Sequence, residues 1–332
     1  MSEGGKTKVA VIGVGEVGRG WASLLVGHGW PVALFDTDAR TLNEGQDEII
    51  RRVDLLAAAG RIDRSNADLG LGELRMGRSL LQAVGEADWI IEALPDDLNL
   101  KQRTLEQIEQ VARARAVIAS STPGLFASQL CGRLRNPSRL LVANPMVPVE
   151  LLPVVEVVPG PQTDPEIIET VRFWLTELKQ IPIVLKKEVP GHVVGRLIAA
   201  VWRESIQLVL DGVVDVQTMD AAVQLGPGIA WATSGPHLNR ALDAGPEGIS
   251  AHIAERLMTF EARWQNLAKW ETLSTEDRQK IQRAIEKAYG GRIDDLRTER
   301  RFRVIKELDI HEEGPTGGWP GQLSLVRPPE PK

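Results

Sequence analysis

The stretch from Lys8 to Asp36 constrains the fold more than any other. A short apolar run, Val9-Ala10-Val11-Ile12, leads into Gly13-Val14-Gly15-Glu16-Val17-Gly18. A helical pattern then carries on to about His28 and closes on Gly29, and a second apolar run from Val32 stops at Asp36. Four consecutive apolar residues without alternation read as a strand buried on both faces, as in a parallel sheet. The glycines of the loop differ in what they allow. Gly13 permits the tight turn, Gly15 leaves the backbone open to a pyrophosphate, and Gly18 lets helix and strand pack closely. The N–H groups at the helix start, around Glu16 and Val17, have no intrahelical partner and are available to phosphate. Asp36, ending the second strand, accepts hydrogen bonds from ribose hydroxyls and repels a 2′-phosphate. Gly13, Val14, Gly15, Glu16, Val17, Gly18 and Asp36 therefore form an expected NAD site. Arg40 reads as a solvated arginine on the next helix.

The rest of the chain continues the alternation of strand and helix. Residues 89–92, 116–119, 140–143, 154–158 and 181–185 read as strands; 41–59, 79–84, the run after Asp97 and 165–179 read as helices. After Pro190-Gly191 helical patterns take over, at about 191–212, 216–225, 246–262, 274–289 and 293–308. This predicts an α/β fold: an N-terminal Rossmann-type doubly wound sheet over 1–188, an all-helical C-terminal domain over 189–311, and an extended Gly- and Pro-rich tail over 312–332.

Composition narrows the setting. With 332 residues, 43% of them hydrophobic, the chain is long enough for two sizeable cores. A formal net charge of −6 argues against a general affinity for nucleic acid or anionic membrane. No apolar run reaches membrane-spanning length, and the opening MSEGGKTK lacks the apolar segment of a signal peptide, so the expected location is cytoplasmic. The single cysteine, Cys131, excludes an internal disulfide and a multi-cysteine metal site. Nine tryptophans against one tyrosine read either as core filling or as an aromatic wall for a substrate.

Ser120-Ser121-Thr122 follow the strand at 116–119, where ligands sit in an open α/β sheet; they either line the nicotinamide or substrate side of the crevice or cap the next helix. The order of motifs, together with Gly226-Pro227-Gly228-Ile229-Ala230-Trp231-Ala232, Gly235-Pro236 and Gly245-Pro246-Glu247-Gly248-Ile249, resembles the 3-hydroxyacyl-CoA dehydrogenase superfamily. Within it the chain is most similar to the branch of carnitine 3-dehydrogenase, L-gulonate 3-dehydrogenase and lambda-crystallin. The resemblance implies an NAD-dependent dehydrogenase for a small hydroxylated, 3-hydroxy-acid-like substrate, and a homodimer formed through the helical domain. It also implies that Asp96 and Lys101 line the NAD site. Glu156 matches the family's histidine-orienting acid, but Asn144 stands where the catalytic histidine belongs, Pro123 where a serine belongs and Gly195 where an asparagine belongs.

An asparagine amide cannot take a hydroxyl proton, whereas an imidazole titrating near neutrality can. The expected catalytic residues are thus Glu156, Asn144 and Ser121 in a non-standard arrangement. Glu156 acts as a base, directly or through a water, or is a buried acid bonded to Asn144. His192 and His237 are candidate substitutes. Two other functions remain: NAD-containing chemistry without net hydride transfer, such as elimination or dehalogenation, and a catalytically silent NAD-binding protein. Titration of tryptophan fluorescence is expected to show NAD(H) binding at least about tenfold more tightly than NADP(H), because Asp36 repels the extra phosphate. Equal affinities would refute that role.

Overall fold

A computed structural model describes residues 6–245 and 248–312 of the chain. In chain order the first unit contains β1 (Val9–Ile12), α1 (Glu16–Gly27), β2 (Val32–Phe35), α2 (Ala39–Ala58), α3 (Arg64–Gly72), β3 (Leu74–Met76), α4 (Leu80–Val84) and β4 (Trp89–Glu92). It continues with α5 (Leu98–Val111), β5 (Val117–Ser120), α6 (Ala127–Leu130), β6 (Leu140–Pro145), β7 (Val154–Pro159), α7 (Pro165–Glu177) and β8 (Ile181–Val184). The strands form one sheet in the order β3-β2-β1-β4-β5-β6-β7-β8. β1 to β6 are mutually parallel, β7 runs antiparallel to β6, and β8 is parallel to β7. The order turns back between β1 and β4, which is where a doubly wound sheet opens a crevice at its strand ends.

Strand periodicity divides the core into two layers. Val9 and Val11 face one side with Val32, Leu34, Ile91 and Ala119, packed under α1, α2 and α7; Ala10 and Ile12 face the other with Ile90, Ile118 and Val142, packed under α5 and α6. Tryptophans fill the first layer: Trp89 stacks on Trp174 at 5.3 Å between ring centroids and meets Trp21 edge-on at 5.7 Å. Core filling therefore accounts for these residues.

The sequence patterns over 60–88 predict only the helix at 79–84, and the structure adds α3 and the edge strand β3. The α3 sequence, RSNADLGLG, has little apolar periodicity. Tertiary packing supplies what the pattern lacks. Asp63 caps the helix by accepting a hydrogen bond from the Asn66 N–H at 2.9 Å, and Gly70 lies so close to the Val26 carbonyl of α1 that no side chain fits there.

The described residues from Leu197 onward form a second compact unit. α8 (Val194–Leu210) begins in the first unit; α9 (Val216–Val223), α10 (Ile229–Leu242), α11 (Ile249–Trp264), α12 (Thr275–Tyr289) and α13 (Ile293–Glu312) follow. The Gly- and Pro-rich run after Val223 is helical, which the sequence patterns do not predict: Gln224–Gly228 is a π-helical turn, and α10 bends at Gly235, whose φ is 67°. The Gly235-Pro236 pair, with Gly235 at non-helical angles, separates α10 into two helical stretches across a kink. Pro246, Glu247 and the tail from 313 lie outside the described residues.

Gly18 carries the tightest contact of the glycine loop, since a Cβ there would overlap the Gly13 carbonyl oxygen. Gly18→Ala is expected to destabilise the chain by about 3 kcal/mol or more in urea unfolding, because the obstructing atom is backbone and cannot rotate away. A change below about 0.5 kcal/mol would contradict that packing.

Candidate active site

The site assembles where the chain leaves β1, β4, β5 and β6. At the end of β1 the loop turns through Gly13, whose φ of 92° and whose position beneath the Ala93 carbonyl exclude a side chain. The Val14 N–H donates to Asp36 Oδ2 at 2.8 Å, and the Asp38 N–H donates to Asp36 Oδ1 at 3.0 Å. Asp36 is thus fixed at the end of β2 while each oxygen keeps capacity for a further donor. A Cβ built on Gly15 meets nothing within 4 Å, and no side chain caps the start of α1. Open space beside a helix start that no side chain caps fits a pyrophosphate. Val14 and Val17 pack into the core beneath the loop. Arg40 is bound to Glu44 at 2.7 Å, in keeping with its reading as a surface arginine.

Beyond β4, Asp96 is exposed and accepts a hydrogen bond from the Thr122 hydroxyl, linking the β4 and β5 ends. Lys101 lies differently from its expected place at the cofactor surface. It is fully buried, and its ammonium donates to Glu92 Oε1 at 2.8 Å, Glu92 Oε2 at 3.1 Å and the Leu94 carbonyl at 3.0 Å. Ser120 Oγ, at 2.5 Å from Oε2, and the Leu94 N–H, at 2.7 Å from Oε1, complete the coordination of Glu92. Lys101 therefore supports from within the turn that carries Asp96.

Ser121 also departs from its expected catalytic role. Its hydroxyl accepts from Trp21 Nε1 at 2.9 Å and donates to the Ala143 carbonyl at 3.1 Å, and the residue is 7% exposed. The one proton it owns is spent on a strand carbonyl, so it has none for a substrate.

Asn144 and Glu156 are direct cross-strand partners on β6 and β7. Asn144 Nδ2 donates to Glu156 Oε2 at 3.1 Å, while Glu156 Oε1 accepts from the N–H groups of Val193 and Val194 at 2.7 and 2.8 Å. Gly191 and His192, with φ of 72° and 50°, turn the backbone so that these two N–H groups meet the carboxylate at the start of α8. Glu156 is fully buried, whereas Asn144 is half-buried. Of its two candidate roles, this geometry is that of the buried acid bonded to Asn144. His192 is buried too; its Nε2–H donates to the Thr122 carbonyl at 3.1 Å, and Nδ1 has no partner among the described residues. His237 is an exposed residue of α10 in the other unit.

Residues 8–189 match the NAD binding domain of 3-hydroxyacyl-CoA dehydrogenase, and residues 191–283 match the C-terminal domain of the same enzyme. The chain belongs to the 3-hydroxyacyl-CoA dehydrogenase family. An L-carnitine dehydrogenase of Bacillus cereus is 32% identical over 321 residues, covering 97% of this chain and 96% of that protein. One from Streptomyces griseus is 34% identical over 310 residues, covering 91% and 89%. Among solved structures, 5-formyl-3-hydroxy-2-methylpyridine 4-carboxylic acid 5-dehydrogenase, an NAD-dependent dismutase, superposes with a TM-score of 0.82 at 24% identity, covering 93% of this chain and 99% of that one; it shares the fold. The cofactor of the family is NAD, and the open cradle at Gly15 beside Asp36 fits it.

Sequence reasoning missed Glu92 and Arg52, a buried arginine of α2. Their partners lie 9 to 36 residues away, so no local spacing announces them. Lys101→Met is expected to destabilise the protein by about 3–5 kcal/mol, because it leaves Glu92 buried without its counter-charge, and adding Glu92→Gln should recover most of the loss. Chemical denaturation reads both. An additive double variant would contradict the pairing.

Proposed function

We propose that this chain is an NAD-dependent oxidoreductase for a small hydroxylated, 3-hydroxy-acid-like substrate, in which the Asn144 amide binds the reacting oxygen in place of a histidine base. The observation that carries this reading is the Asn144 Nδ2 bond to Glu156. It fixes one amide N–H on the carboxylate and leaves the second N–H and the amide oxygen to a ligand. The L-carnitine dehydrogenases among the relatives support a small polar substrate.

Bound NAD supplies hydride acceptance or donation. An amide N–H stabilises negative charge on a reacting oxygen, a contribution worth about a hundred- to a thousandfold in rate at comparable sites. It does not accept the hydroxyl proton. Glu156 is not placed to take that proton, since it is buried with three donors on it. The proton therefore exchanges with solvent, so that carbonyl reduction is served at neutral pH and alcohol oxidation gains as hydroxide rises.

A homodimer through the helical unit completes the proposal. Leu197, Trp202, Leu225, Leu242 and Met258 expose half or more of their surface there, more apolar area than a lone helical unit ordinarily shows to water. The single cysteine and acidic charge accord with a cytoplasmic setting.

The test is the pH profile of NADH formation from 3-hydroxy acids. The oxidation rate is expected to climb about tenfold per pH unit between roughly 6 and 9, with no inflection near the ordinary histidine value of about 6.5. Asn144→His, opposite an intact Glu156, is expected to introduce that inflection and raise the neutral rate by about tenfold or more. A neutral inflection in the wild-type enzyme would overturn the amide reading. Product without NADH would favour the non-hydride alternative, and NAD binding without any turnover the silent one.

A further inference from the structure

Glu16 puts a negative charge where the pyrophosphate of a dinucleotide has to come. It opens α1, its side chain is 51% exposed, and the helix start has no side-chain cap. Left to itself, a carboxylate beside a pyrophosphate opposes binding. Here the acid is held by Arg52, which lies on α2 and is 5% exposed. Arg52 Nη2 donates to Glu16 Oε2 at 2.7 Å, Nε donates to Glu48 Oε1 at 2.9 Å, and Nη1 lies 3.5 Å from Glu150 Oε1.

Glu150 belongs to the segment between β6 and β7, with 1% of its side chain exposed. α1 presses against this segment at Gly20, where a Cβ would stand 2.8 Å from Val149 and 3.1 Å from Glu150 Oε2. The guanidinium thus sits where α1, α2 and the β6–β7 segment converge. Burial works against its charge, but Glu150, Glu16 and Glu48 outweigh that effect and hold its pKa above the ordinary arginine value. Buried ion clusters of this kind are seldom the most stable way to fill a core. What this one does provide is a fixed direction for Glu16.

We infer that Arg52 is a positioning residue for dinucleotide binding: it pairs with the Glu16 carboxylate and holds it towards α2, which leaves the start of α1 open to the pyrophosphate. The inference rests on the NAD site and is independent of the reaction proposed above.

The test compares ligands with and without phosphates by calorimetry on the full chain. Arg52→Met is expected to weaken NAD and ADP about ten- to a hundredfold while adenosine, which lacks the phosphates, stays within about twofold. Adding Glu16→Gln to Arg52→Met should return NAD affinity to within about threefold of that of the Glu16→Gln variant alone. A general loss of structure would lower all three ligands together and would not be rescued at Glu16. Should Arg52→Met not fold, Arg52→Lys keeps the charge without the guanidinium fork and carries the same comparison, with an expected loss of about fivefold. Equal weakening of adenosine and NAD, or no rescue by Glu16→Gln, would overturn the inference. A wild-type chain that binds no NAD would instead remove the site on which it rests.

Discussion

The Glu156 carboxylate ties together the parts of the site that are far apart in sequence. From β7 it reaches Asn144 on β6 and the backbone of Val193 and Val194 at the start of α8. All three donors are N–H groups, and bonds from N–H to an ionised acceptor are among the stronger ones a protein makes. Taking a carboxylate wholly out of water is costly unless its oxygens are satisfied, and these are. The two backbone bonds hold Glu156, and Glu156 holds Asn144 through the third. A half-buried amide whose orientation is set by a buried acid is a preorganised hydrogen-bonding group, the property on which the role proposed for Asn144 draws.

A second buried acid plays the matching part on the cofactor side. Glu92, at the end of β4, gathers Lys101, Ser120 and the Leu94 N–H, and so fixes the turn on which Asp96 meets Thr122. Asp36 does likewise for the glycine loop through the Val14 N–H. In each case a carboxylate at a strand end holds backbone that a ligand would otherwise have to order, and the cost of ordering is met on folding rather than on binding.

Legibility in the sequence follows the range of the interactions. The βαβ unit around Gly13 to Asp36 is written in adjacent residues, each with a local reason, and the structure places β1, α1 and β2 within a residue or two of their expected ends. The Asn144–Glu156 pair is readable because an antiparallel register brings those positions face to face. The role of Ser121 is not, since what occupies its hydroxyl is Trp21, a hundred residues earlier. The family resemblance puts Lys101 at the NAD site; only the buried Glu92, nine residues earlier, explains its inward turn. α3 and α10 hide behind glycine: its low helix propensity is overridden by packing at Gly70, whereas Gly235 takes non-helical angles between two helical stretches.

Native-state amide hydrogen exchange at Val193 and Val194 distinguishes a Glu156 bound by backbone from one free to act as a base. Val193 immediately precedes α8 and Val194 opens it, where exchange is ordinarily fast because no intrahelical acceptor protects these N–H groups. Bonded to a buried carboxylate, they are predicted to exchange as slowly as the central amides of β6 and β7. Exchange at the rate of an unprotected loop would contradict the account and make Glu156 a candidate base again.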